Sequence, residues 1–305
     1  MKCKKILVTG FDKSALDENV WKKVEKLTDA IVFEPQKDVD CLFSKFNHVD
    51  KTMIDSLPKL TYIGLLATGS ATVDCAYAKT KGITVCNIPG YATEAVAEWV
   101  FALVLEHLRS IEKAKVAGRG GDYSGDGFSA TEIKGKTFGI IGLGRIGTRV
   151  AQLAATFGAN VIYWSRNRKK NVESKNLVYK PLDTVIRSSD FLSLHPNRTK
   201  ETEGILNVDR IASIKKGALL INVSPMELID QAALAKRLEK GDITFIFDHP
   251  DEMDAKDVQK LAKYSNCIVY PPIGFASAEA RVVKQEIFVA NLENFLHSKP
   301  TNKVN

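Results

Sequence analysis

The sequence predicts an α/β protein whose larger part is a doubly wound parallel sheet. Short apolar, β-rich runs alternate with helical stretches along nearly the whole chain. Those runs are apolar throughout, as strands buried on both faces are, and helices separate them. In addition, a glycine-rich turn directly follows one such run and opens a helix. At 305 residues the chain is long for one core and comfortable for two domains.

Taken in order, "KKILVTG" predicts a strand, "ENVWKKVEKLTD" an amphipathic helix and "AIVFEP" a second strand. "KLTYIGLLATG" and "GITVCNIPG" add two strands, each ended by glycine. "ATEAVAEWVFALVLEHLRSIEKAKVA" reads as one long helix starting at Thr93, a linker between domains. "GRGGDYSGDGF" follows a helix and no strand, so it reads as a mobile surface loop and not as a phosphate cradle. From Thr137 the alternation becomes regular. "KTFGIIGLG", "ANVIYWS", "DFLSLHP", "KKGALLINVS", "DITFIFD" and "NCIVYPP" are strands, with helices such as "DQAALAKRLEKG" between them. "SAEARVVKQEIFVANLENFLHS" is a final helix long enough to return to the first domain.

The totals narrow the function classes. No apolar run approaches the roughly 18 residues that span a bilayer. The segment "MKCKKILVTGFDKS" reads as a first strand and not as a signal peptide. The five cysteines are scattered with no CxxC pair, which predicts neither a metal site nor a disulfide framework and points to a reducing cytoplasm. The net charge of +7 comes from dispersed lysines and arginines without an aromatic-interleaved motif. It reads as a solvated surface and not as a nucleic-acid or membrane interface.

"GIIGLGRIG" carries Gly142, Gly144 and Gly147 in a G-x-G-x-x-G pattern between strand and helix. Gly142 suits the tight turn, Gly144 the approach of a pyrophosphate, and Gly147 close helix–strand packing. Arg145 and Ile146 open the helix whose N–H groups and dipole favour phosphate. The alternative is a tight turn that binds nothing. The next strand ends in Ser165, Arg166 and Asn167, where a NAD site usually presents a carboxylate to the ribose 2′-OH. Arg166 can pair with a 2′-phosphate, and Arg168 and Lys169 add positive potential, so NADP(H) is expected over NAD(H). These charges also read as ordinary surface residues.

With these residues placed, the chain resembles the D-isomer-specific 2-hydroxyacid dehydrogenases over nearly its whole length. "GITVCNIPGYATEAVAEWVFAL", "IKGKTFGIIGLGRIGTRVA", "DFLSLHPNRTKETEGIL", "IKKGALLINVS" and "AALAKRLEKGDI" carry the likeness. The resemblance implies two flavodoxin-like or Rossmann-like domains with the cofactor domain inserted into the substrate domain. Residues 1–92 plus 276–305 would form the substrate domain and 93–275 the cofactor domain. It also implies a small-molecule substrate and a homodimer through the cofactor domain. Thr93, Thr199, Val223 and Asp248 would lie along the cofactor. Ala67, Thr68 and Gly69 would hold a substrate carboxylate, and His195 reads as structural or cofactor-adjacent.

Four positions depart from the family pattern. Pro225 stands where the family has its carboxylate-clamping arginine, and Met226 where a glycine follows it. Pro272 stands at the position of the proton-handling histidine, and Met253, beside Glu252, at that of the tuning glutamate. His249 reads as a relocated proton donor with Asp248 or Asp251 as its orienter, or as a loop histidine without a role. Tyr270 and Tyr91 are other candidate donors. Met226, Pro272 and Phe275 would make the pocket more apolar. Two functions follow: an NADP(H)-dependent oxidoreductase with a rebuilt site acting on an unidentified carbonyl or hydroxy compound, or a catalytically silent cofactor-binding or scaffold protein.

Overall fold

The computed structural model describes residues 2–305. The chain divides into two units, Met1–Ala92 with Ser277–Asn305, and Thr93–Ala276.

The first unit runs β1 (Cys3–Thr9), α1 (Glu18–Lys26), β2 (Thr28–Val32), β3 (Cys41–Ser44), α2 (Lys51–Ser56), β4 (Tyr62–Leu65), α3 (Cys75–Thr80) and β5 (Thr84–Cys86). Its strands pair in parallel in the order β2-β1-β3-β4-β5. Strand alternation sorts the side chains onto two faces. Ile6, Val8, Phe43 and Tyr62 enter one core, and Leu7, Leu42, Ile63 and Val85 the other. The sequence reading passes over β3, although it is the central strand. Its four residues, "CLFS", are all buried, so they show no polar alternation, and polar segments flank them. Asp50 and Asp74 start α2 and α3 by accepting from the backbone of Met53 and Tyr77 at 2.9 and 2.8 Å.

The second unit begins with α4 (Thr93–Arg109) and α5 (Ile111–Arg119). The single helix expected here breaks at Ser110, whose φ of +48° is left-handed. Residues Ala97, Val100, Phe101 and Val104 of α4 enter the core of this unit. The glycine-rich stretch after α5 is an exposed loop, tied by Lys113 Nζ donating to the Gly127 carbonyl at 2.8 Å.

Next come β6 (Thr137–Ile141), α6 (Arg145–Thr156), β7 (Asn160–Trp164), β8 (Leu177–Tyr179), α7 (Leu182–Ser188), β9 (Phe191–Leu194) and α8 (Val208–Ser213). The unit closes with β10 (Leu219–Asn222), α9 (Gln231–Glu239), β11 (Thr244–Phe247), α10 (Ala255–Ala262) and β12 (Cys267–Val269). The strands form a parallel sheet in the order β12-β11-β10-β9-β6-β7-β8. The edge strand β8 is the other strand that the sequence pattern does not reveal. Strand succession reverses between β6 and β9, and ligands bind beyond the carboxyl ends at such a switch point.

The chain then returns to the first unit with α11 (Ala278–Leu296), capped by Ser277, burying Phe288, Val289, Leu292 and Leu296 there. Among the described residues no helix is long and apolar enough to cross a membrane.

Candidate functional site

The loop after β6 is shaped by what its glycines touch. Gly142 has φ +93°, and a Cβ on it would lie 2.6 Å from the Pro196 nitrogen. A Cβ on Gly147 would lie 2.0 Å from the Gly142 carbonyl oxygen. Internal packing therefore requires both. Gly144 is different, because a Cβ there would meet nothing within 4 Å among the described residues. Its bare backbone faces open space at the start of α6, where no described side chain caps the helix. Exposed N–H groups at the positive end of a helix make an anion site.

A cleft of about 640 Å³ brings together Gly142, Gly144, Ser165, Arg166, His195 and Thr199, with Asn167 on its wall. Thr93 and Arg145 line a second cleft, about 690 Å³, which shares Gly144 and Lys169 with the first. Ile146 is half-buried against the unit's core. Val223, Asp248 and His249 line neither cleft, although they follow β10 and β11 at the same carboxyl edge of the sheet.

The end of β7 is held locally. Ser165 Oγ donates to the Asn167 carbonyl at 2.7 Å. Arg166 pairs with Glu201 at 3.2 Å, both side chains being about 70% exposed (72% and 69%). Glu201 also accepts from Thr199 Oγ1 at 3.0 Å. Arg168 donates twice to Glu173, both at 2.7 Å, and this holds the Glu173 carboxyl down to about 2. Arg168 therefore does not add free positive potential, contrary to the expectation from sequence. Lys169 is exposed toward both clefts and makes no ion pair among the described residues.

His195 follows β9. Its backbone N–H donates to Ile141 at 2.8 Å, and its Nε2 lies 2.8 Å from Ser193 Oγ. Burial pushes the imidazole down to about 3, so the ring is neutral near pH 7. A neutral ring bonded to a buried serine suits a structural, cofactor-side position.

Asp248 directly follows β11 and is buried. Trp99 Nε1 of α4 donates to its Oδ2 at 2.9 Å. Tyr270 meets the Trp99 ring edge-on at 5.4 Å. A Cβ on Gly274 would lie 2.6 Å from the Trp99 ring and 3.0 Å from Asp248 Oδ2, so the glycine lets the pair close. Burial raises the Asp248 pKa, with His249 and Trp99 acting the other way. Its Oδ1 is buried without a hydrogen-bond partner among the described residues. His249 Nε2 stands 3.6 Å from that oxygen, and its Nδ1 3.9 Å from Asp251 and Glu252. These are ion-pair separations and not hydrogen bonds. Asp248 is positioned by Trp99, and neither it nor Asp251 orients His249 through a hydrogen bond. The sequence reading missed Trp99 and Gly274. A tryptophan at helical spacing reads as core, and nothing local pairs it with a residue 149 positions away.

Pro225 has φ −53° and ψ 140° and precedes a single helical turn, Met226–Leu228. Met226 is 2% exposed and packs in the core beneath the sheet, where its sulfur accepts from Asn222 Nδ2. It lines neither of the two clefts around Gly144. Phe275 is exposed and Pro272 half-buried. In the first unit, the Ala67–Gly69 loop is braced from one side. Ala67 and Thr68 carbonyls accept from Ile88 N and Asn87 Nδ2 at 3.2 and 2.6 Å, and Gly69 faces open space. Tyr91 packs against that unit's core.

Residues 101–274 match the family model described as D-isomer specific 2-hydroxyacid dehydrogenase, NAD binding domain. The glyoxylate reductase of Pyrococcus horikoshii is 34% identical over 285 residues, spanning 90% of this chain and 85% of that protein. The chain belongs to the D-isomer-specific 2-hydroxyacid dehydrogenase family. It is thereby an oxidoreductase of the nicotinamide-dependent, 2-hydroxyacid dehydrogenase type. Solved structures share its fold, two among them in complex with a nicotinamide cofactor. D-lactate dehydrogenase from Aquifex aeolicus, in complex with NAD and lactic acid, aligns with a TM-score of 0.83 at 25% identity over 96% of each chain. An acyclic imino acid reductase in complex with NADPH and D-Arg aligns with a TM-score of 0.83 at 27% identity, over 99% of this chain and 100% of that one. The open backbone at Gly144, the uncapped start of α6 and the unpartnered Asp248 Oδ1 fit the phosphates and a polar end of such a dinucleotide.

Proposed function

We propose that this dehydrogenase binds NADP(H) in preference to NAD(H) and acts on a carbonyl or hydroxy compound with side chains other than the family's usual ones. The observation that carries the cofactor preference is the end of β7. Ser165, Arg166 and Asn167 border the cleft with no carboxylate among them. A ribose 2′-OH finds no carboxylate at the strand end itself, the one that lines the cleft being Glu201 on the loop after β9, whereas a 2′-phosphate finds the Arg166 guanidinium. The existing Arg166–Glu201 pair is solvent-exposed and worth only about 0–1 kcal/mol, so a phosphate dianion displaces it at small cost. That the imino acid reductase was solved with NADPH accords with this reading.

The bound nicotinamide supplies or accepts hydride. The protein must then hold the substrate and stabilise charge developing on its oxygen. By resemblance, Pro225 and Pro272 occupy the positions of the arginine and histidine that do this elsewhere in the family. Proline donates from neither ring nor backbone. His249 is the candidate replacement donor, with carboxylate oxygens of Asp248, Asp251 and Glu252 within 3.9 Å of its ring nitrogens. Ala67, Thr68 and Gly69 are the candidate contacts for the substrate.

Fluorescence titration with NADPH and NADH, followed by a carbonyl panel with the better binder, tests the reading. Tighter NADPH binding and turnover lost in His249→Ala are expected. Tighter NADH binding would contradict the cofactor assignment. Turnover unchanged in His249→Ala would remove the histidine from the chemistry. A second reading, a silent cofactor-binding protein, is favoured by the absence of a hydrogen-bonded orienter for His249 among the described residues. Tight NADPH binding with no turnover of any panel member would select it.

A further inference from the structure

The amino-terminal edge of the first unit's sheet gathers a second set of chemically active groups. Cys3 begins β1 and Cys41 begins β3, the adjacent strand. Asp40 immediately precedes Cys41, and the two sulfurs and an Asp40 carboxylate oxygen all lie within 4.8 Å of one another. Both cysteines are 1% exposed. Asp40 is fixed in place, because its two oxygens accept from the backbone N–H groups of Lys4 and Lys5 at 2.8 and 3.0 Å. A carboxylate held this way keeps further lone pairs for another partner.

Two independent features mark the place. A cleft of about 420 Å³ is lined by Cys3, Asp40 and Cys41 together, with Lys2 at its rim. Beside the thiols, the Tyr62 hydroxyl is fully buried and has no hydrogen-bond partner among the described residues. Cys3, Cys41 and Cys86 surround it in the same core cluster. A buried hydroxyl without a partner is costly. A thiolate sulfur is an acceptor it could satisfy.

We propose that Cys3, Cys41 and Asp40 form a binding site for a thiophilic divalent cation of the Zn²⁺ or Cd²⁺ class. Two sulfurs and one carboxylate oxygen supply three ligands of a tetrahedral site, and water supplies the fourth. Binding exchanges two S–H bonds for two metal–sulfur bonds and releases two protons to solvent. The Tyr62 O–H then donates to a thiolate, and Lys2 offsets part of the net charge. Sequence spacing could not show this, because 38 positions separate cysteines that only strand pairing brings together.

The test is titration of the reduced full-length chain with Cd²⁺, read by the ultraviolet thiolate-to-cadmium charge-transfer band and by proton release. One saturable site per chain is expected, with two protons released. Cys3→Ser and Cys41→Ser should each abolish the band, Asp40→Asn should weaken binding at least ~10-fold, and Cys75→Ser should leave it unchanged. Far-ultraviolet circular dichroism and the NADPH titration check each variant's fold. X-ray absorption on the wild-type Zn²⁺ complex should count two sulfurs per metal, independently of any variant. No band, a band surviving in the Cys3→Ser/Cys41→Ser double variant, or a sulfur count other than two overturns the site.

Discussion

The Trp99 indole N–H donates to Asp248 Oδ2 at 2.9 Å, joining the first helix of the cofactor unit to the carboxyl end of β11. The buried Oδ1 has no hydrogen-bond partner among the described residues. Trp99→Phe keeps the ring but leaves Oδ2 unsatisfied, which should cost about 1–3 kcal/mol. Chemical denaturation of the two proteins measures it. A cost near zero would mean that water replaces the indole.

The raised pKa of Asp248 has a consequence for stability. A carboxyl whose folded-state value lies above its ordinary 3.8 is easier to keep in the fold when protonated. Its contribution is full below pH 3.8 and is lost as pH rises through the folded-state value. Asp248→Asn should remove that loss, so the difference in stability between variant and wild type should shift in the variant's favour as pH rises. Denaturation curves across the acidic range check the sign.

His195 acts in the opposite direction. Its folded-state value of about 3 lies below the ordinary 6.5, so the fold favours the neutral ring. Stability from this group is present above pH 6.5 and is lost as pH falls toward 3. His195→Gln should flatten this part of the acid limb. NMR titration of the imidazole should show no protonation near pH 6. A ring titrating there would mean the site is wetter than it looks.

Legibility followed how local the cause was. Gly142, Gly144 and Gly147 could be read directly, because a turn, an open backbone and a close helix–strand contact each demand a residue without a side chain. The parallel strands of the second unit other than the edge strand β8 were readable from their apolar runs. Strand β3 was not, because its apolar run is only Cys41–Phe43, set between polar segments. The break at Ser110 was hidden too, since serine does not announce a left-handed backbone. Partnerships formed by the fold were beyond reach: Arg168 with Glu173, Arg166 with Glu201, Trp99 with Asp248, and Cys3 with Cys41. Met226 likewise went to the core because the chain turns inward after Pro225.

Arg166 is the residue expected to read the 2′-phosphate. Arg166→Ala should weaken NADPH binding by about 1.5–3 kcal/mol, a charge-assisted contact, and leave NADH nearly unchanged. Glu201→Gln should strengthen NADPH binding modestly by releasing the guanidinium from its present partner. Parallel fluorescence titrations decide both. Equal losses for the two cofactors in Arg166→Ala would place the arginine elsewhere than at the 2′ position.

Gly147→Ala tests the cradle's geometry. The added methyl would sit 2.0 Å from the Gly142 oxygen, so helix α6 or the loop must move. An overpacking cost of about 1–3 kcal/mol is expected, together with loss of cofactor affinity. Full NADPH affinity in the variant would show that the loop adapts without cost.

The central claim is that the cofactor cradle is retained while the family's carboxylate clamp and proton donor are replaced by Pro225 and Pro272. Its most direct test is kcat/KM for glyoxylate with wild-type protein saturated with NADPH. A value below about 10⁴ M⁻¹s⁻¹, the lower end of ordinary enzyme efficiency, is the expected result. Efficient glyoxylate reduction, at about 10⁵ M⁻¹s⁻¹ or above, would contradict it.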